Sequence, residues 1–298
     1  NKRGDAYYES GKYKEAIEAY KQALRNNPDN AMAHFSLGAA YYSSGKYKEA
    51  IKSYKQAIRI DPDDASAHFN LGVVYGESGK YKEAIKPFKQ AIRIDPDDAE
   101  AHVNLGYAYD ELGKYKEAIK SYKQAIRISP DLAEAHYNLG LAYGELGKYK
   151  KAIKSYKQAI RLDPDHVDAH FYLGCAYYDS GKYKKAIKSC KQAIRIGPDD
   201  AQAHGLLGDA YWQSGKYKKA IKSYKQAVRL DPDDAEAHGL LGNAYYESGK
   251  YEEAIESFKQ ALRIEPDYAQ AHSGLGYAYD ELGKYEEEEP VKQAIRID

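Results

Sequence analysis

The stretch AEAHYNLGLAYGELGKYKKAIKSYKQAIRLDPDH, residues 133–166, recurs in variant form along the 298-residue chain, and its internal spacing decides the fold. Ala135, His136, Leu139, Gly140, Ala142 and Tyr143 recur at helical spacing, which gathers them on one stripe of a helix. Gly147 interrupts the pattern. Tyr149, Ala152, Ile153, Tyr156, Ala159 and Ile160 then form the stripe of a second helix, which Asp163-Pro164-Asp165 ends while offering a cap to the next one. The segment therefore predicts a helical hairpin. Small residues at Gly140 and Ala152 let the two helices approach closely, and Tyr and Ile side chains fill the space around them.

Outward from this stretch, glycine recurs at Gly4, Gly38, Gly72, Gly106, Gly140, Gly174, Gly208, Gly242 and Gly276, always 34 residues apart. A second series runs from Gly11 to Gly283, and eight of the ten prolines, from Pro28 to Pro266, keep the same period; only Pro87 and Pro290 fall outside. A fixed period means that each hairpin buries its apolar face against its neighbours rather than in one globule. The expected organisation is a single array over 1–298, with repeats 1–30, 31–64, 65–98, 99–132, 133–166, 167–200, 201–234, 235–268 and 269–298. Repeat positions are numbered 1 to 34 from Ala133. The first repeat opens at position 5 without a start Met, as in a fragment or a processed chain. In the last, Glu286-Glu287-Glu288-Glu289-Pro290 replaces the segment that should carry Ala and Ile at positions 20 and 21. Burying adjacent glutamates is costly. The segment 286–298 is accordingly expected to be displaced, distorted or frayed.

The unit reads H-x2-L-G-x2-Y-x3-G-x-Y-x2-A-x3-Y-x2-A-x4-P and resembles the tetratricopeptide repeat over residues 1–283, with His at position 4 in place of Trp. The resemblance implies an all-α fold, an α-solenoid of antiparallel helix pairs wound into a right-handed superhelix. It also implies a non-catalytic protein-interaction scaffold whose first helices line a concave groove. The phrase A-H-x-N-L-G, with Asn70, Asn104 and Asn138, is similar to repeats of O-linked N-acetylglucosamine transferases, so a substrate-recognition arm of a larger enzyme is the alternative. That narrower likeness is partial, because Tyr172, Leu206, Leu240 and Gly274 replace the Asn later on. The near-identity of the units also fits an engineered array, and open ends allow end-to-end self-association. Chaperone-binding members clamp a terminal carboxylate with Lys at position 5 and Asn or Arg at position 9. Position 5 here holds Phe, Val, Tyr, Gly or Ser, so the clamp is absent.

Composition narrows the rest. The chain has 45 Lys+Arg against 45 Asp+Glu, no apolar run of membrane-spanning length and only two cysteines, which points to a cytoplasmic setting without a membrane span or disulfide scaffold. Eight of the nine histidines occupy position 4, one per repeat, too dispersed for metal ligation and better read as packing. Cys190 reads as a core substitution at position 24 and Cys175 stands where the two preceding repeats have Tyr or Leu, so neither points to a disulfide or a reactive thiol. No phosphate loop, dinucleotide turn or hydrolase motif is present, so no catalytic residue, metal or cofactor is expected. Charge is segregated: residues 148–162, 182–196 and 216–230, the second helices of three consecutive repeats, hold six Lys or Arg each and no carboxylate, whereas first helices are acidic. Nucleic acid is disfavoured for the groove, and anion contact on the opposite side is a minority reading beside a solvated face.

Where invariant positions make the fold, variable ones carry function. Positions 11 and 17 take nine tyrosines each and position 24 takes five; of the remaining nine among 32, eight lie in first helices. Positions 2, 5, 9, 12 and 13 share one helix face, which combines aromatics with carboxylates. The candidate partner-binding residues are Phe35, Tyr42, Phe69, Asn70, Asn104, Tyr107, Glu111, Tyr137, Asn138, Phe171, Tyr178, Trp212 and Tyr246. Aromatics flanked by carboxylates suit a peptide or helix with apolar and basic side chains. The competing reading is that these aromatics only pack between adjacent first helices.

Overall fold

A computed structural model describes residues 2–283, and every element among them is an α-helix. The expectation for the terminal segment lies outside the described residues. The chain forms two compact units, Asn1–Lys148 and Tyr149–Asp298.

The N-terminal unit contains α1 (Lys2–Glu9), α2 (Tyr13–Asn26), α3 (Ala31–Ser43), α4 (Tyr47–Ile60), α5 (Ala65–Glu77), α6 (Tyr81–Ile94), α7 (Ala99–Asp110), α8 (Tyr115–Ile128) and α9 (Ala133–Glu145). The C-terminal unit contains α10 (Tyr149–Leu162), α11 (Val167–Asp179), α12 (Tyr183–Ile196), α13 (Ala201–Trp212), α14 (Tyr217–Leu230), α15 (Ala235–Glu247), α16 (Tyr251–Ile264) and α17 (Ala269–Glu281). Within each unit every helix packs on the next, and first helices also touch: α3 meets α5, α5 meets α7 and α7 meets α9, while α11 meets α13 and α15 meets α17. This is the all-α solenoid of helix pairs.

Local chemistry sets each boundary. At the end of α3 the Gly45 N–H donates to Tyr42 O and the Lys46 N–H to Tyr41 O, a Schellman closure that requires φ near +73° at Gly45. A side chain there would be strained. The Pro-Asp-Asp loops cap the first helix of the next repeat: Asp64, Asp98, Asp200 and Asp234 each accept from the third helical N–H, with Asn30 doing the same for α3. His166 takes this role for α11, its Nδ1 accepting from Ala169 N at 3.3 Å. The position-4 histidines tie each first helix to the loop before it. Their Nε2 atoms bond the carbonyl of the proline six residues back, from His34 and Pro28 at 2.9 Å to His272 and Pro266 at 2.7 Å.

The core is a stack of rings over glycine. A Cβ on Gly106 would lie 2.6 Å from Tyr122 Cε1, and one on Gly208 would lie 2.5 Å from Tyr224 Cε1. Tyr54, Tyr122, Tyr224 and Phe258 are among the largest fully buried side chains, so position 8 is small because position 24 is large. Pro87 replaces the serine that elsewhere bonds the carbonyl four residues back, as Ser53 does to Glu49 O at 3.0 Å. α6 nevertheless runs unbroken from Tyr81 to Ile94, with Pro87 buried.

Candidate functional site

Adjacent first helices place the variable positions in a row within each unit. In the N-terminal unit a bond between Tyr8 Oη and Ser43 Oγ, 3.0 Å long, ties α1 to α3 across this face. The aromatics there are pinned mainly by second helices. At position 5, Phe35 meets Tyr54 edge-on at 5.6 Å and Phe69 meets Phe88 at 5.9 Å. At position 12, Tyr42 lies 5.9 Å from Tyr47, Tyr178 lies 5.5 Å from Tyr183, Trp212 lies 6.5 Å from Tyr217 and Tyr246 lies 5.5 Å from Tyr251. Phe171 packs on Tyr172 at 5.1 Å. Tyr137 and Asn138 are half-buried on α9. The Asn70 and Asn104 amides donate to Ser66 O and Glu100 O of their own helices at 2.9 and 3.0 Å, which leaves each side-chain carbonyl for other contacts.

Tyr107 differs from these. It is 44% exposed and its ring stands edge-on to Tyr81 of the preceding repeat at 5.9 Å, so it reaches between repeats while presenting its surface to solvent. Burial of its hydroxyl, with Tyr81 and Glu111 beside it, raises its pKa. Glu111 is exposed at the C-cap of α7.

Next to this pair lies a residue to which no aromatic pattern points. Asp110 stands at position 12, where other repeats carry Tyr42, Tyr178, Trp212 and Tyr246. Its Oδ1 is buried without a hydrogen-bond partner, as is the hydroxyl of Tyr122. Burial, reinforced by Glu111 and Glu145, pushes the Asp110 carboxyl up to about 6. Among the described residues no ion pair involves Asp110, Glu111 or Glu145. Position 12 also holds Gly76, Gly144 and Asp280, so the sequence alone did not set Asp110 apart. Tyr172 and Tyr277, 37% and 64% exposed, extend the aromatic surface in the C-terminal unit.

Neither cysteine offers chemistry. Burial pushes both thiols up to about 12, so they are protonated at neutral pH and poor nucleophiles. No helix among the described residues is long and apolar enough to cross a membrane.

Comparison with known proteins agrees with the helix-pair fold. A family model described as the cilia and flagella-associated protein 70 C-terminal domain matches residues 64–274, and a tetratricopeptide repeat model matches residues 1–65. Among solved structures, YrrB, described as a TPR protein with an unusual peptide-binding site, is 26% identical with a TM-score of 0.56 over 63% of this chain and 96% of its own. A MamA protein is 29% identical with a TM-score of 0.54, covering 58% of this chain and 94% of its own. MamA of Desulfovibrio magneticus RS-1 is 27% identical with a TM-score of 0.55, covering 57% and 96%. No curated protein sequence matches the chain. These matches indicate no catalytic family. With the 34-residue period, the helix pairs and a family model that spans more than half its length, the chain belongs to the tetratricopeptide repeat family.

Proposed function

We propose that the protein is a non-catalytic scaffold that takes up a peptide or helical segment on the rows of first helices. The observation that carries this reading is Tyr107, an exposed ring held edge-on by Tyr81 beside the carboxylates of Asp110 and Glu111, which no ion pair neutralises among the described residues. Such a surface offers apolar contact and an attraction for Lys or Arg, hence a partner with apolar and basic side chains. YrrB, with its peptide-binding site, supports the same general role. Phe35, Tyr42, Phe69, Asn70, Asn104, Glu111, Tyr137 and Asn138 would extend the surface in the N-terminal unit. Phe171, Tyr178, Trp212 and Tyr246 would form its counterpart in the C-terminal unit.

The test is to pan a random peptide library over the chain and over its Tyr107→Ala/Trp212→Ala variant. Recovered peptides should lose affinity for the variant and should be enriched in basic residues. Peptides that bind both proteins equally well would move the site off the first helices.

A further inference from the structure

The opposite side of the repeat, where second helices meet, carries a separate surface. In the C-terminal unit a groove of about 810 Å³ lies between α12 and α14 above α13. Its walls are Lys191, Lys218, Lys219, Lys222, Lys225 and Arg229, with no carboxylate in its lining. Its floor is apolar: Leu207, Tyr211 and Ile221 are all buried. Lys191 and Lys219 sit 5.9 and 5.7 Å from the centroid of the same Tyr211 ring, so two ammonium groups share one aromatic ring.

A groove in the same register of the N-terminal unit, about 750 Å³ in volume, serves as an internal control. Lys55, His68, Leu71, Tyr75, Lys82 and Lys86 take the places of Lys191, His204, Leu207, Tyr211, Lys218 and Lys222. Glu83 stands where Lys219 does, so its lining includes a carboxylate. This difference repeats at position 19. Glu15, Glu49, Glu83, Glu117 and Glu253 occupy it in five repeats, and Lys151, Lys185 and Lys219 occupy it in three consecutive ones. Lysine there is unfavourable for the helix, because α10, α12 and α14 are left with no acidic residue in their first turns to meet the positive end of the helix dipole. Three successive substitutions against local stability, which together build a wall of one sign, are better explained by an anion that binds there than by solvation of the face.

We infer that the α12–α14 groove, together with Lys151 and Lys185 at the same position of the two preceding second helices, binds an acidic protein segment with interspersed apolar side chains. The apolar floor accepts aliphatic groups while the lysine walls pair with Asp and Glu. The surface suits nucleic acid less well. Tyr211 is buried beneath the lysines rather than offered for base stacking, and five of the six cations are Lys, which lacks the two-pronged phosphate geometry of Arg.

The experiment uses a fluorescein-labelled peptide of Glu-Asp-Leu triplets, its Gln-Asn-Leu counterpart and an oligodeoxythymidylate of equal charge, with binding read by anisotropy at about 0.1 M salt. Lys151→Glu/Lys185→Glu/Lys219→Glu restores the residue that the chain itself carries in five repeats, so the variant retains the fold. A control of equal charge change is Lys52→Glu/Lys86→Glu/Lys120→Glu in the N-terminal unit. The acidic peptide should bind, and the first variant should weaken it by more than about tenfold while the control changes it by less than about threefold. Failure of the acidic peptide to bind, equal losses in both variants, or equal binding of the neutral peptide would overturn the site. Tighter binding of the oligonucleotide would overturn the assigned partner.

Discussion

The two compact units are built on one apolar register and differ in the charges hung on it. Repeat four in the N-terminal unit and repeat seven in the C-terminal unit show this most closely. Both bury a position-24 tyrosine, Tyr122 or Tyr224, over a position-8 glycine. In repeat seven, Asp209 at position 9 accepts the Tyr224 hydroxyl at 2.6 Å. In repeat four, position 9 is Tyr107, and the carboxylate sits one turn further on at Asp110, where neither its Oδ1 nor the Tyr122 hydroxyl has a partner. Moving one carboxylate by three residues turns a structural hydrogen bond into unsatisfied polar chemistry beside an exposed ring. The apolar register tolerates such changes because it does not depend on them.

That contrast can be broken most forcefully at the shared glycines. Gly106→Ala and Gly208→Ala should each destabilise the protein by about 2–3 kcal/mol in urea unfolding, since the new methyl overlaps a fully buried ring. Gly208→Ala should cost more, because displacing Tyr224 also breaks its bond to Asp209. The tyrosines themselves should separate the repeats cleanly. Tyr224→Phe leaves the Asp209 carboxylate, whose pKa burial already raises, without its donor, and should lose about 2 kcal/mol. Tyr122→Phe removes a hydroxyl with no partner and should leave stability unchanged or raised. Equal losses in both would mean that the two hydroxyls are equally well bonded.

A smaller effect isolates Asp110 through pH. Its carboxyl faces Glu111 at the cap of its own helix, Glu145 on α9, and Tyr115 and Tyr122 on α8, and among the described residues no ion pair involves it. Because its pKa is raised on folding to about 6, the folded chain holds the proton more tightly than the unfolded one. Its contribution to stability is therefore fully present below the unfolded value of about 3.9 and is lost as pH rises through about 6. Asp110→Asn should stabilise the protein against urea at pH 8 by on the order of 1 kcal/mol once solvent screening is allowed for, and the gain should shrink by pH 4. A gain independent of pH would show that ionisation of Asp110 is not its source.

The hairpin, its glycine stops and its loop caps were legible in the sequence because each rests on contacts within one repeat, and eight near-copies of the spacing report the same answer. The face of the first helices was legible as a set of positions, since helical geometry alone places positions 5, 9, 12 and 13 together. What those residues touch was not. Position-12 aromatics lean on the tyrosine five residues ahead, as Tyr246 does on Tyr251, whereas Tyr107 at position 9 reaches back to Tyr81 of the preceding repeat. The choice depends on ring positions in three dimensions rather than on periodicity. Asp110 was hidden for a related reason: a carboxylate among many attracts notice only once its burial and lack of partners are known.

The smallest expected effect bears on the charged side of the comparison. Lys219→Glu should stabilise the protein by about 0.5 kcal/mol, and Glu83→Lys should destabilise it by a similar amount, because both change the charge at the same position in the first turn of a second helix. Paired urea titrations at low salt would resolve the two shifts, and added salt should shrink both. Opposite signs would show that the lysines of the C-terminal unit are held against local stability, so that their presence calls for a reason outside the helix. If Lys219→Glu instead destabilises, the stacking of Lys219 on Tyr211 at 5.7 Å outweighs the dipole, and packing alone accounts for lysine at that position.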